Sequence, residues 1–178
     1  FHFLKIQRFS SISCNVIDSE KTQNGGYLKL SRMLRHFQRI KKCSLWFIVP
    51  KKTEDKSLGH IFDSLSRMES LENLELRLER LEKSNKKGLS RFLIRIPLMK
   101  NLTSLALRLG SCAGFGNLMF QELGNSLAKI KDHLKEFVFV IGNNDKIDDK
   151  SMAEFLKGLS SLINLKTLIL KFILCNRL

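Results

Sequence analysis

Histidine, cysteine and clustered carboxylates are the residue types from which a catalytic or metal site would be built. Their spacing here argues against one. His2, His36, His60 and His133 are scattered, with no His-Glu-x-x-His run and no zinc-ligand spacing. Cys14, Cys43, Cys112 and Cys175 include no Cys-x-x-Cys pair. Asp145, Asp148 and Asp149 cluster but miss the calcium-loop pattern, and Asp148 or Asp149 reads better as a helix-start carboxylate. The stretch from Gly110 to Gly116 is glycine-rich yet lacks the Gly-Lys-Ser/Thr ending of a phosphate loop, and no nucleophile elbow occurs. The expectation is a protein that is not an enzyme and takes no cofactor, metal or small-molecule substrate.

Charge is the next chemical feature. Lys and Arg number 31 against 17 Asp and Glu, a net charge of +14. From Lys21 to Thr53 there are nine basic residues and no acid, ending in Lys51 and Lys52. Arg32, Arg35 and Arg39 recur at helical spacing off the apolar stripe, which predicts a basic ridge. Three readings fit such a field: a solvated helix face, an acidic protein partner, or RNA or another polyanion. No base-stacking motif accompanies it. No run of about 18 apolar residues exists, so no membrane span is expected.

The elements that would position these groups follow from a repeat. One apolar column reads Ile12, Cys43, Leu74, Leu105, Phe137, Leu168, at intervals of 31, 31, 31, 32 and 31 residues. Columns two and four residues later run in parallel, through Leu107 and Leu109. This alternation predicts strands. Before each strand lies a stripe at helical spacing, such as Leu89, Phe92, Ile96 and Met99. Helix then strand makes one coil of a solenoid, whose units bury their apolar faces only against neighbours. The expected units are roughly 1–17, 18–49, 50–78, 79–109, 110–141 and 142–178, about five and a half repeats. The additional residue of the 32-residue interval is expected near Lys131–His133, between helix and strand.

Local signals support the parse. Ser57 is expected as an N-cap and Ser151-x-x-Glu154 as a capping box. Gly25-Gly26, Gly110 to Gly116 and Gly142 are expected to supply left-handed angles in the connections. Pro97 should kink or shorten its helix. Cys14 and Cys43 fall in core columns, which predicts reduced thiols and an intracellular setting such as cytoplasm, cytoskeleton or cilium. Phe3, Ile6 and Phe9 match the end of a helix, and neither end shows a polar cap. The expectation is a fragment of a longer protein, or ends covered by neighbouring subunits. The basic, acid-free stretch from Phe1 to Ile17 also resembles a mitochondrial targeting segment, a second reading of the same residues.

Leu102-x-x-Leu105-x-Leu107 and Leu165-x-x-Leu168-x-Leu170 resemble the core of leucine-rich repeats, and the helix in each unit is similar to the ribonuclease-inhibitor-like subclass. The resemblance covers essentially the whole chain. It implies an α/β solenoid, a right-handed helix–strand coil with a parallel sheet on the concave side and helices on the convex side. It also implies a recognition module or scaffold. The family's turn Asn or Cys is replaced by Ile17, Ile48, Glu79, Gly110, Gly142 and Ile173, so the strands should run two residues further and the usual ladder should be missing.

Residues between the apolar strand positions point away from the core. One such row is Asn15, Trp46, Arg77, Arg108, Val140 and Lys171, and another contains Ser44, Glu75, Val138 and Ile169. Trp46 beside Arg77 and Arg108 reads as a recognition centre, because Trp and Arg dominate interface hot spots. Trp46 packed on a connecting loop is the other reading. Val138, Val140 and Ile169 predict an apolar patch that a partner covers. The expected function is a non-catalytic scaffold for protein–protein interaction, a structural subunit within a large intracellular complex. The alternatives are a polyanion- or RNA-binding accessory protein, and the recognition arm of a longer signalling protein.

Overall fold

The computed structural model describes residues 10–16, 24–37, 39–49, 55–81, 86–112, 115–144 and 147–175. Phe3, Ile6, Phe9, Lys21, Lys51, Lys52, Gly114, Asp145 and most of the Phe1–Ile17 stretch lie outside them. Strand and helix alternate: β1 Ser11–Val16, α1 Asn24–His36, β2 Lys42–Ile48, α2 Asp55–Leu65, β3 Asn73–Glu79, α3 Lys86–Arg95, β4 Ser104–Gly110, α4 Asn117–Lys129, β5 Glu136–Gly142, α5 Asp149–Ser160 and β6 Thr167–Ile173. The six strands form one sheet in chain order, every pair parallel. Leu74, Leu105, Phe137 and Leu168 sit side by side on adjacent strands. The fold is an α/β solenoid.

The core lies between the sheet and the helices. In β2 to β5 every second residue is buried, and the inward helical residues Leu58, Leu89 and Phe120 complete the interior. Phe120 meets Phe139 and Phe155 edge-on at 5.6 and 5.5 Å, the favoured geometry for aromatic pairs. Leu168 continues a core column yet is 46% exposed, because β6 has a strand on one side only among the described residues.

Backbone bonds between coils repeat with the sequence. The carbonyls of Ser10, Lys41, Glu72, Thr103 and Lys135 each accept two N–H groups from the start of the following strand. The inserted residue falls where the interval places it. Ile40, Leu71, Leu102 and Leu165 each bond back three residues, whereas Leu134 bonds back four, to Ile130.

Several local expectations are corrected. Ser57 lies inside α2 rather than capping it, and Gly25 and Gly26 lie inside α1. The cap of α5 is Asp148, whose carboxylate accepts from the Ser151 N–H at 2.7 Å. No described glycine has a positive φ. The left-handed residues are instead Arg80, Ser111, Asn143 and Leu174, each one position past a strand. The N–H groups of Arg80, Ser111 and Asn143 bond the last carbonyl of the neighbouring strand, which holds that angle. Pro97 acts as expected: α3 stops at Arg95 and a 3₁₀ turn, Ile96–Leu98, replaces its last turn.

The turn ladder is present, but two residues later than expected. Cys112, Asn144 and Cys175 share one repeat position just beyond the left-handed residue. The Cys112 thiol donates to the Leu78 carbonyl at 3.4 Å, and Asn144 donates to the Phe115 carbonyl. Buried small polar side chains therefore satisfy backbone groups in the turns.

Candidate functional site

The register brings all six residues of the expected row together. Asn15, Trp46, Arg77, Arg108, Val140 and Lys171 are consecutive partners across β1 to β6. Parallel strands about 4.8 Å apart make such a row a contiguous strip. The Arg77 guanidinium lies over the Trp46 ring, 4.3 Å from its centre. At that distance the ring's negative face attracts the cation. Arg77 also bonds Glu79 at 2.8 Å, so it is held at both ends. The Trp46 indole N–H is covered and finds no acceptor. The alternative for Trp46, packing on a connection, concerns residues 17–23 and 50–54, which lie outside the described ones.

Glu75 is the residue that sequence reasoning passed over. Its carboxylate accepts from Arg108 Nε at 3.0 Å and from the Ser44 hydroxyl at 3.1 Å. Three strands are thereby tied on the outer face by one side chain. Glu75 is level with Ser44 and one outward step from Arg108, so the cross-strand rows carried a signal for it. Beside it runs an open groove of about 390 Å³, bordered by Ser13, Lys42, Asn73 and Ser104. Short polar side chains around an open groove suit an extended chain better than an enclosed small molecule. Val138 and Val140 are half-buried and Ile169 is exposed, so the outer face turns apolar toward β6.

The basic ridge is only partly one element. Arg32 and Arg35 are exposed on α1, whereas Arg39 lies in the turn beyond its end at His36. Arg35 Nε donates to the Ser64 hydroxyl of α2 at 3.3 Å. This group lies on the helical side, away from the Trp46 row.

Burial pushes the Cys43 and Cys112 thiols up to about 12, with the Cys14 thiol adding to the effect at Cys43. Burial raises Cys14 as well. All four thiols are free, and such groups are poor nucleophiles. Asp148 is held below the usual carboxylate range, first by its bonds to Ser151. Among the described residues no group of three or more His, Cys, Asp or Glu side chains is placed to hold a metal ion. No helix of the described residues is long and apolar enough to cross a membrane.

No family model matches the sequence, and no curated protein does. The fold is similar to a solved Caenorhabditis elegans structure described as a tropomodulin C-terminal domain. The likeness has a TM-score of 0.59 and covers 88% of this chain and 84% of that one, at 13% identity. At that identity the likeness establishes the shared α/β fold.

Proposed function

We infer that the chain is a leucine-rich-repeat scaffold of the ribonuclease-inhibitor-like kind, about five and a half 31-residue repeats long, which binds another protein through the outer face of its sheet. The family reading is supported by the Cys112, Asn144 and Cys175 column, because such repeats use Asn or Cys to satisfy turn backbone. In this reading the chain is not an enzyme but an accessory subunit of a large intracellular complex. The tropomodulin-domain likeness agrees with a scaffold fold and leaves the partner open.

One observation carries the binding surface. Trp46, Arg77, Glu75 and Arg108 are locked together before any partner arrives. Preorganised Trp and Arg lose little freedom on binding, and these types dominate interface energetics. The test is affinity purification of the tagged chain from its native source, comparing wild type with Trp46→Ala/Arg108→Ala at matched melting temperature. Loss of the co-purifying protein in the variant supports the sheet face. Its undiminished recovery overturns that surface.

A further inference from the structure

The helical side holds a second surface, independent of the sheet face. Bonds between helices set which residues are level: Arg95 pairs with Asp63, Ser90 donates to Glu122 at 2.7 Å, and Ser126 donates to the Leu93 carbonyl at 2.7 Å. These bonds join α2 to α3 and α3 to α4. On the outside of α3, Arg91 and Ile94 are followed, one turn on, by Leu98 in the 3₁₀ turn. Ile94 is 54% exposed, Leu98 62%, and Leu118 at the start of α4 63%. Repeat spacing sets Leu118 level with Lys87 and Leu98 level with Arg67. Arg67, Lys87 and Arg91 are exposed and form no ion pair among the described residues. The nearest acids are engaged already, Asp63 by Arg95 and Glu122 by Ser90.

A solvated face accounts for the cations but not for three large apolar side chains set among them. A nucleic acid would use the cations and press Ile94 and Leu98 against phosphates. It would also favour exposed aromatic rings, and the exposed large apolar residues of these helices are aliphatic. A partner with both carboxylates and an apolar stripe uses every one of these groups. We propose that the α2–α4 face docks an acidic amphipathic helix of another protein. Its apolar stripe rests on Ile94, Leu98 and Leu118, and its carboxylates lie over Arg67, Lys87 and Arg91. Anchors one turn apart are how a helix is read in such a docking. The net charge of +14 draws an acidic segment in from a distance.

The probe is a labelled synthetic helix with Leu at i, i+3, i+4 and i+7 and Glu elsewhere, titrated against the full chain by anisotropy. A matched peptide with Ser for Leu, an oligouridine and anionic phosphatidylserine vesicles complete the set. The Leu peptide should bind more tightly than its Ser counterpart. Ile94→Ser/Leu98→Ser should weaken it by roughly tenfold, as loss of paired apolar anchors does. Arg67→Glu/Arg91→Glu should weaken it comparably and flatten its salt dependence. Trp46→Ala should leave it unchanged. Equal binding of the two peptides overturns the proposal, as does indifference to Ile94→Ser/Leu98→Ser in variants whose circular dichroism melt is intact. Oligouridine or vesicles binding more tightly than the peptide, without regard to Ile94 and Leu98, also overturns it and points to a bare polyanion surface.

Discussion

At the scale of single residues, the four cysteines divide by what surrounds them. Cys43 and Cys112 are buried among apolar neighbours and Cys112 also donates to backbone, whereas Cys14 and Cys175 are half-buried. Ionising a buried thiol places an unpaired charge in a poor dielectric, which is why both buried groups titrate near 12. In the unfolded chain the same thiols ionise near 9. Their contribution to stability is therefore whole below pH 9 and is lost as pH rises toward 12. Across that window each thiol should cost about 1.4 kcal/mol per pH unit. At pH 8, iodoacetamide should modify Cys14 and Cys175 in the native chain and reach Cys43 and Cys112 only in denaturant, read by mass spectrometry. Rapid labelling of all four would contradict the packing. The sequence made the core role of Cys43 plain but misplaced that of Cys112. Strands were counted from Leu105 and Leu107, so the turn position fell on Gly110. The strand runs on to a third inward residue, Leu109, and that moves the ladder to Cys112 and Asn144. Glu75 was missed for a related reason. A carboxylate in an outward row looks like ordinary surface until its partners on both neighbouring strands are known.

At the scale of elements, the closest helix pair is α4 against α5, and two glycines permit it. A Cβ on Gly124 would stand 2.5 Å from the Glu154 carbonyl oxygen, and one on Gly158 would overlap the Gly124 carbonyl. Glycine within a helix normally costs about 1 kcal/mol relative to alanine. Here the contact reverses that sign. Gly158→Ala should lower stability by roughly 1–3 kcal/mol, the usual cost of overpacking, and lower the melting midpoint by several degrees. A thermal melt by circular dichroism checks this, and an unchanged or raised midpoint would refute the close approach. Apolar spacing revealed which side of each helix faces inward, and even located the inserted residue before Leu134. It carries no information on how near two helices come, so Gly124 and Gly158 went unnoticed. The helix starts were misjudged through competition among small polar residues. Ser151 and Asp148 are both competent caps, and Asp148 takes the position. Asn117 fixes it there, donating to its carboxylate at 2.6 Å and accepting its N–H at 3.0 Å.

At the scale of the whole molecule, a solenoid distributes its stability unevenly along its length. Each coil is held by its two neighbours, so an interior coil loses two interfaces when it fails and an end coil loses one. Leu107 occupies the middle of β4, almost wholly buried, with Leu76 and Phe139 on either side. Leu107→Asp would put a carboxylate there with no cation in reach, at a cost of several kcal/mol. Domains of this size are stable by roughly 5–15 kcal/mol, so most of that margin disappears. Leu170 holds the same column position on β6 but is only half-buried, because β6 is paired on one side. Its carboxylate could stay hydrated, so Leu170→Asp should leave a folded chain with a modestly lower midpoint. Paired thermal and urea melts of the two variants read this asymmetry directly. Unfolding of Leu107→Asp at room temperature together with survival of Leu170→Asp is the pattern that stacked coils require. Equal damage from both would mean that the chain behaves as one globule, in which position along the stack has no bearing on stability.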